Sequence, residues 1–331
     1  MRCLALALLA STACLPVQAP GRGPIVAEAR VWTWVPFPES RCAIGTPTGI
    51  GINVAPESSE LVIYLQGGGA CASAEDCFGL APTAANIASG YGDAQFQGEG
   101  NLSGIVFIDR LAQDNPYRDA SFVFVPYCTG DLHAGDASVA YAVNGEARAA
   151  EHRGRANLAL FLERVVPTFP NLERVTLAGG SAGGFGAVFD AALVRERFAG
   201  VRVDVLSDSG PPVQVPDAIR QQWKDQWAFE PPLDLLEGLA ADQPASRIGL
   251  LAFSDDVVLR LYADVTLEDW RARMEDLRAR VDALPNVEAF VLGGESHVVI
   301  ANRLAGSDEV PLSEWLAAFA GDDDAWRSAW P

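Results

Sequence analysis

Val175-Thr176-Leu177-Ala178-Gly179-Gly180-Ser181-Ala182-Gly183-Gly184-Phe185 is the stretch on which the fold turns. Val175 to Ala178 is a short apolar, partly β-branched run that reads as a buried strand, and the small residues after Ser181 begin a helix that runs to about Phe198 and closes near Gly200. A serine that attacks a carbonyl must stand clear of the sheet on a tight strand-to-helix turn. Glycines on either side permit both the strained backbone and the close helix packing of such a turn. The G-x-S-x-G spacing also occurs in purely structural glycine turns, so the flanking strand and helix carry the reading of Ser181 as a nucleophile.

Outward from this turn, strands alternate with helices. Leu61 to Leu65, Ile105 to Ile108, Phe122 to Tyr127, Val201 to Leu206, Ile248 to Phe253 and Val287 to Leu292 read as strands. Leu158, Phe161, Leu162, Val165 and Val166 share one helical face, as do Leu267, Trp270, Met274, Leu277, Val281 and Leu284 behind a Thr266–Asp269 capping box, and Leu312 to Phe319 forms the last helix. This alternation predicts an α/β fold with a mainly parallel central sheet and helices on both faces. No internal repeat or long linker divides the chain, so residues 20–331 are expected to form one domain. A segment at about 207–247, rich in proline and carrying Trp223 and Trp227, interrupts the alternation; it reads either as a cap over the ligand edge of the sheet or as a packed excursion.

The remaining parts of an acyl-transfer site have fixed places in such a fold. The N–H after the nucleophile, on Ala182, is one oxyanion donor. The second comes from the glycine loop after an earlier strand, Gly67-Gly68-Gly69-Ala70, with Gly69 and Ala70 as donors and Gly68 beside the pocket. A phosphate loop would need a Gly-Lys-Ser/Thr ending or Rossmann spacing, which this segment lacks. His297 follows the last strand and the Gly293-Gly294 turn, where the base belongs. The orienting acid lies between serine and histidine in chain order, and Asp208, Asp255 and Asp256 all follow strands in that interval. Order alone leaves the three open. Asp131 and His133 also follow a strand and are expected, with Trp223 and Trp227, to border the pocket. A metal at Asp131 and His133 lacks a third ligand, and Ser-His-Asp chemistry calls for no cofactor.

Composition bounds the partners. With 331 residues, 49% hydrophobic and 20% charged, the chain has ample apolar content for a core. Its net charge of −19, with Lys224 the single lysine, excludes a basic face for nucleic acid. Residues 1–19 resemble a secretory signal: Arg2, then the apolar run Leu4 to Ala10, too short to span a membrane, then small residues. Val17-Gln18-Ala19 offers one cleavage site, and Leu9 to Cys14 resembles a lipoprotein box that would leave a lipid anchor on Cys14. Either implies export to the periplasm, the medium or a membrane surface. Outside the leader stand Cys42, Cys71, Cys77 and Cys128, and the even, sparse set reads as two disulfides. Cys71 and Cys77 close a short loop easily, which leaves Cys42 with Cys128.

Three motifs carry a resemblance. Gln66-Gly67-Gly68-Gly69-Ala70-Cys71, Tyr127-Cys128-Thr129-Gly130-Asp131 and Gly180-Ser181-Ala182-Gly183-Gly184 together resemble the pectin acetylesterase and Notum family of serine carboxylesterases, in particular its bacterial branch. The likeness runs from Cys42-Ala43-Ile44-Gly45 to Ser296-His297. It implies an α/β-hydrolase fold, hydrolysis of an ester such as an O-acetyl group on a glycan, and a triad on Ser181, His297 and an aspartate within Phe253-Ser254-Asp255-Asp256-Val257-Val258-Leu259-Arg260. The family's Asp-x-x-[Val/Ile]-Arg-like run fits best from Asp256. Plant and animal members carry tryptophan after the glycine triplet, where this chain has Ala70. The competing readings are a non-catalytic binding protein on the same scaffold and a lipase, peptidase or transacylase.

Overall fold

The computed structural model describes residues 16–99, 102, 105–301 and 306–331. In chain order its strands are β1 (Thr33–Phe37), β2 (Thr48–Asn53), β3 (Glu60–Leu65), β4 (Ser121–Val125), β5 (Ala137–Val143), β6 (Glu146–His152), β7 (Arg174–Gly180), β8 (Arg202–Asp208), β9 (Ile248–Phe253) and β10 (Val287–Leu292). The helices are α1 (Ala74–Phe78), α2 (Asp93–Gly98), α3 (Gly154–Thr168), α4 (Ala182–Phe189), α5 (Ala191–Arg197), α6 (Asp217–Trp227), α7 (Leu235–Asp242), α8 (Val257–Ala263), α9 (Leu267–Asp282) and α10 (Leu312–Ala320).

Eight strands form one sheet in the order β1-β2-β4-β3-β7-β8-β9-β10. From β4 to β10 all neighbours are parallel, and β2 runs antiparallel to both β1 and β4. Helices cover both faces, as the alternation predicts. Successive side chains of one strand enter opposite layers. Ile63 and Leu65 of β3 join a cluster with Leu158 and Phe161 of α3, Val188 of α4 and Trp270 of α9, whereas Val62 and Tyr64 join Phe107, Trp315 and Phe319 on the other face. The predicted helical stripes are buried along α3 and α9, and the Thr266 hydroxyl caps α9 by accepting from Asp269 N–H at 3.1 Å.

Two local expectations are corrected, and two strands are added that the sequence reading did not mark. Val106–Ile108 is a 3-10 turn and not a strand: three consecutive buried apolar residues suit either, and both flanks of β3 are already taken by β4 and β7. The helix after Ser181 is two helices, α4 and α5, meeting at Asp190. β1 and β2 carry no alternation that reads as a strand because Pro36 and two glycines break it. Pro36 is tolerated in the outermost strand, and Gly51 is required because a Cβ there would stand 2.4 Å from the Phe96 ring.

Residues 1–15, including Cys14, lie outside the described residues. Pro16 and Gln18 run beside β1, the Gln18 N–H donating to Trp34 C=O and the Trp34 N–H to Pro16 C=O, each at 2.8 Å, so the last residues assigned to the leader touch the sheet. Among the described residues no helix is long and apolar enough to cross a membrane.

Candidate active site

Ser181 stands between β7 and α4 with φ 55° and ψ −120°, a left-handed conformation that a non-glycine residue adopts only when its surroundings impose it. The glycines around it are dictated by space. A Cβ on Gly179 would lie 2.1 Å from the Gly183 carbonyl oxygen, and one on Gly183 would lie 1.9 Å from that of Leu65. The turn therefore presses α4 against β3 closely enough to exclude any side chain.

His297 reaches Ser181 from the loop after β10. Its Nε2 lies 2.8 Å from Ser181 Oγ, and its Nδ1 lies 2.7 Å from Asp256 Oδ2. A carboxylate only accepts, so Nδ1 carries the hydrogen and Nε2 is left to accept from the serine hydroxyl. Asp256 is 1% exposed; its other oxygen accepts from Leu259 N–H at 3.0 Å and caps α8, which fixes the carboxylate in place. Of the three aspartates left open by chain order, Asp256 alone meets the imidazole. Asp255 turns away to a bidentate pair with Arg271 at 2.7 and 2.8 Å, at the edge of a cleft of about 250 Å³ with Arg278 and Trp330. That guanidinium holds the Asp255 carboxyl below its ordinary range. Asp208 is buried behind the loop that follows His297 and accepts from Val299 N–H at 2.8 Å and Ile300 N–H at 2.9 Å.

The glycine loop lies on the opposite side of the serine. A Cβ on Gly67 would fall 2.4 Å from the Gly180 carbonyl oxygen and 3.2 Å from Ser181 Cβ, so loop and elbow are in direct contact, and Gly69 takes φ 71°. Among the described residues no acceptor takes the main-chain N–H of Gly69, Ala70 or Ala182. Ala182 directly follows the serine, and Gly69 and Ala70 belong to the loop whose Gly67 touches the elbow; unclaimed donors on such segments are what a developing oxyanion needs.

Behind this loop is a layer of buried hydrogen bonds. His133 donates from Nε2 to Gln66 C=O at 2.8 Å, and Trp227 donates from its indole to Cys71 C=O at 3.0 Å. His152 donates from Nδ1 to Thr129 C=O at 2.7 Å and accepts from the Tyr141 hydroxyl at 2.9 Å. Asp131 accepts from Thr129 Oγ1 at 2.6 Å and Gly154 N–H at 2.7 Å. Burial pushes both imidazoles below their ordinary range, so they stay uncharged at neutral pH. Disulfides join Cys71 to Cys77 and Cys42 to Cys128, the pairing read from the sequence.

The expected pocket-bordering role of four residues is corrected. Asp131, His133, Trp223 and Trp227 are 0%, 2%, 1% and 0% exposed. The two indoles stack at 5.5 Å within the core; Trp227 of α6 braces the glycine loop from behind, while Trp223 borders only a small cavity of about 30 Å³ with Phe185 and Phe189. Cys71, Cys77 and His152 are the one group among the described residues close enough to share a metal. Both sulfurs are committed to a disulfide, which leaves no thiolate to coordinate. Sequence reasoning missed Ser209, whose hydroxyl accepts from Val298 N–H at 2.9 Å, and Glu99, which accepts from the Gln66 side chain at 2.9 Å. The polar Ser207-Asp208-Ser209-Gly210 run at a strand end was the available signal for Ser209. Nothing near Glu99 in sequence marks it.

Over 184 residues the chain is 30% identical to palmitoleoyl-protein carboxylesterase notum1a of Danio rerio, a stretch that covers 51% of this chain and 33% of that protein. It is 26% identical over 184 residues to palmitoleoyl-protein carboxylesterase NOTUM of Homo sapiens, covering 51% and 34%. The match thus spans about a third of the length of these relatives. The family profile described as Pectinacetylesterase matches residues 36–242, a span that holds both disulfides, the glycine loop and the elbow and ends before Asp256 and His297. With well over half of its length inside that match, the chain belongs to the pectinacetylesterase family.

Proposed function

We propose that this protein is an exported serine carboxylesterase whose single domain, residues 20–331, hydrolyses small acyl esters, O-acetyl esters of glycans among them, through an acyl-enzyme. The observation that carries the reading is the continuous chain from Asp256 through His297 to Ser181, with hydrogen-bond spacings of 2.7 and 2.8 Å, on a strained elbow.

In this mechanism Ser181 Oγ attacks the ester carbonyl carbon while its proton passes to His297 Nε2. The carbonyl oxygen becomes an oxyanion held by the N–H groups of Ala182, Gly69 and Ala70, an interaction worth roughly 3–4 kcal/mol per donor in comparable sites. Asp256 holds the imidazole in the required tautomer and stabilises the imidazolium. Collapse breaks the bond to the alkoxy oxygen, which takes the proton from Nε2 and leaves as alcohol. Water then attacks the acyl-serine with His297 as base, and Ser181 is regenerated as the acid departs.

Leader-like residues 1–19 and two disulfides support export. A net charge of −19 favours a neutral acetylated glycan over an acidic one, because like-charged polymers repel at low salt. The test is a panel of 4-nitrophenyl acetate, butyrate and octanoate, an anilide, and acetylated neutral and acidic glycans, run with wild type and Ser181→Ala. Ester turnover that vanishes in Ser181→Ala supports the reading; turnover that survives the substitution overturns it, and faster acetyl release from the acidic glycan at low salt overturns the charge argument.

A further inference from the structure

The mechanism above leaves one buried carboxylate next to the site unused. Asp208 ends β8, the strand between those that carry the nucleophile and the acid, and is 0% exposed. Its main-chain oxygen accepts from Ser181 N–H at 2.7 Å, so it holds the elbow. Its Oδ1 accepts from Val299 N–H at 2.8 Å and Ser209 Oγ at 3.0 Å, and its Oδ2 accepts from Ile300 N–H at 2.9 Å, so it also holds the turn directly after His297. Ser209, with φ 53°, accepts from Val298 N–H at 2.9 Å and completes the grip. Three successive N–H groups after the base are thus claimed by two adjacent side chains.

Among the described residues no arginine or lysine pairs with Asp208. The elements around it present Gly184 from α4, the Leu251 main chain from β9, Tyr64 from β3 and His297 from the loop. Of these, Tyr64 and His297 titrate, and His297 alone becomes a cation. A buried, ionised carboxylate is expensive unless opposed by positive charge or several donors. Here the donors are those of the His297 loop, and the charge appears on the imidazole during the reaction.

Resting on the esterase reading, we propose that Asp208 is a positioning residue that locks the nucleophile and the base into one unit, and that the lock requires its carboxylate to be ionised. Protonation replaces an acceptor oxygen by a hydroxyl, and one loop N–H then loses its partner. Burial raises the Asp208 carboxyl to about 6, against the pull of its N–H donors, Ser209 and His297, so release falls in the mildly acidic range. On the acid side of the rate profile, the proton taken up by Asp208 therefore adds to the one that blocks the imidazole as a base.

The experiment is the pH dependence of kcat/KM on 4-nitrophenyl acetate for wild type, Asp208→Asn and Ser209→Ala, with thermal melting of each. Wild type should lose rate on the acid side with a logarithmic slope approaching two. Asp208→Asn should lose about a hundredfold in kcat/KM at neutral pH, as small misplacements at reacting centres do, and its slope should fall to one. Ser209→Ala keeps the carboxylate and should keep the slope of two at a reduced rate. If Asp208→Asn fails to fold, the slopes of wild type and Ser209→Ala decide. Proton NMR of the His297 Nδ1 hydrogen in Ser181→Ala gives a readout that needs no turnover: two inflections on acidification support the lock even should the esterase reading fail. A slope of one in wild type, a single inflection, or an Asp208→Asn variant that melts earlier with an unchanged profile overturns it.

Discussion

The two sides of Ser181 are held in place by different chemistry. On the glycine-loop side the supports nearest the donor segment are covalent or aimed at main-chain carbonyls: the Cys71–Cys77 disulfide, the Trp227 indole on Cys71 C=O, and His133 on Gln66 C=O, with the carboxylates of Glu99 and Asp131 on the Gln66 side chain and on the layer behind. On the acid–base side they are carboxylates: Asp256 on the imidazole, Asp208 on the turn after it, and Asp255, beside Asp256 at the end of β9, tied to Arg271. The proposed oxyanion donors should therefore be more sensitive to thiol reductant and less sensitive to mild acid than the acid–base loops. Fixed dipoles suit a charge that forms and vanishes, whereas a group that must gain and lose a proton is steered best by neighbouring charge.

The largest effect that sharpens this contrast is at the acid. Asp256→Asn should lower kcat roughly 10⁴-fold with melting little changed, because the amide stabilises the wrong imidazole tautomer, whereas Asp255→Asn should stay within about threefold. Comparable losses in both, read by steady-state kinetics at pH 7.5, would break the distinction between the adjacent aspartates. On the other side, Cys71→Ser with Cys77→Ser should cost roughly 2 kcal/mol of stability by loop closure. Removing the Cys42–Cys128 bridge should cost roughly 4–5 kcal/mol, because it closes a far longer segment. Activity should rank the opposite way, with the short-loop variant losing on the order of tenfold more kcat because its bridge fastens the donors. Urea unfolding alongside kinetics checks both orders. If the two variants rank alike in stability and rate, the loop-side disulfide has no special part in the site.

The smallest effect lies away from both sides. Asp190, at the junction of α4 and α5, is 0% exposed, and among the described residues its carboxylate oxygens accept no hydrogen bond, with Arg155 3.3 Å away as an ion pair. Burial first, then the nearby Asp131, pushes its carboxyl up to about 8 against the pull of Arg155. A carboxyl raised on folding contributes stability that is fully present below its unfolded range near 4 and is lost as pH rises through about 8. Asp190→Asn should therefore melt about 2–4 °C above wild type at pH 9 and converge with it only as the pH falls to about 4. A pH-independent difference would remove Asp190 from the account.

Much of this organisation was legible before any coordinates. Uninterrupted apolar runs such as Leu61 to Leu65 and Ile248 to Phe253 mark strands covered on both faces, and the elbow glycines mark a turn with no room for side chains. Ser181 and His297 could be placed by chain order because each follows a strand end that the fold fixes. The acid could not be chosen that way, since Asp208, Asp255 and Asp256 all follow strands, and only the direction of each side chain separates them. The roles of Asp131, His133, Trp223 and Trp227 were misread for a related reason. A polar or aromatic residue after a strand can face either the cleft or the packing behind it, and local sequence is the same in both cases. β1 and β2 escaped notice because their glycines make room for rings such as Phe96 that arrive from elsewhere in the chain.

The central claim is that His297 makes the Ser181 hydroxyl a nucleophile. Its most direct test is treatment with a fluorophosphonate probe, followed by intact mass and peptide mapping, in wild type, Ser181→Ala and His297→Ala. The account predicts one adduct per chain on the peptide containing Ser181, none in Ser181→Ala, and labelling slowed by several orders of magnitude in His297→Ala. A folded wild-type protein that stays unmodified, or labelling as fast without the imidazole as with it, would contradict the claim.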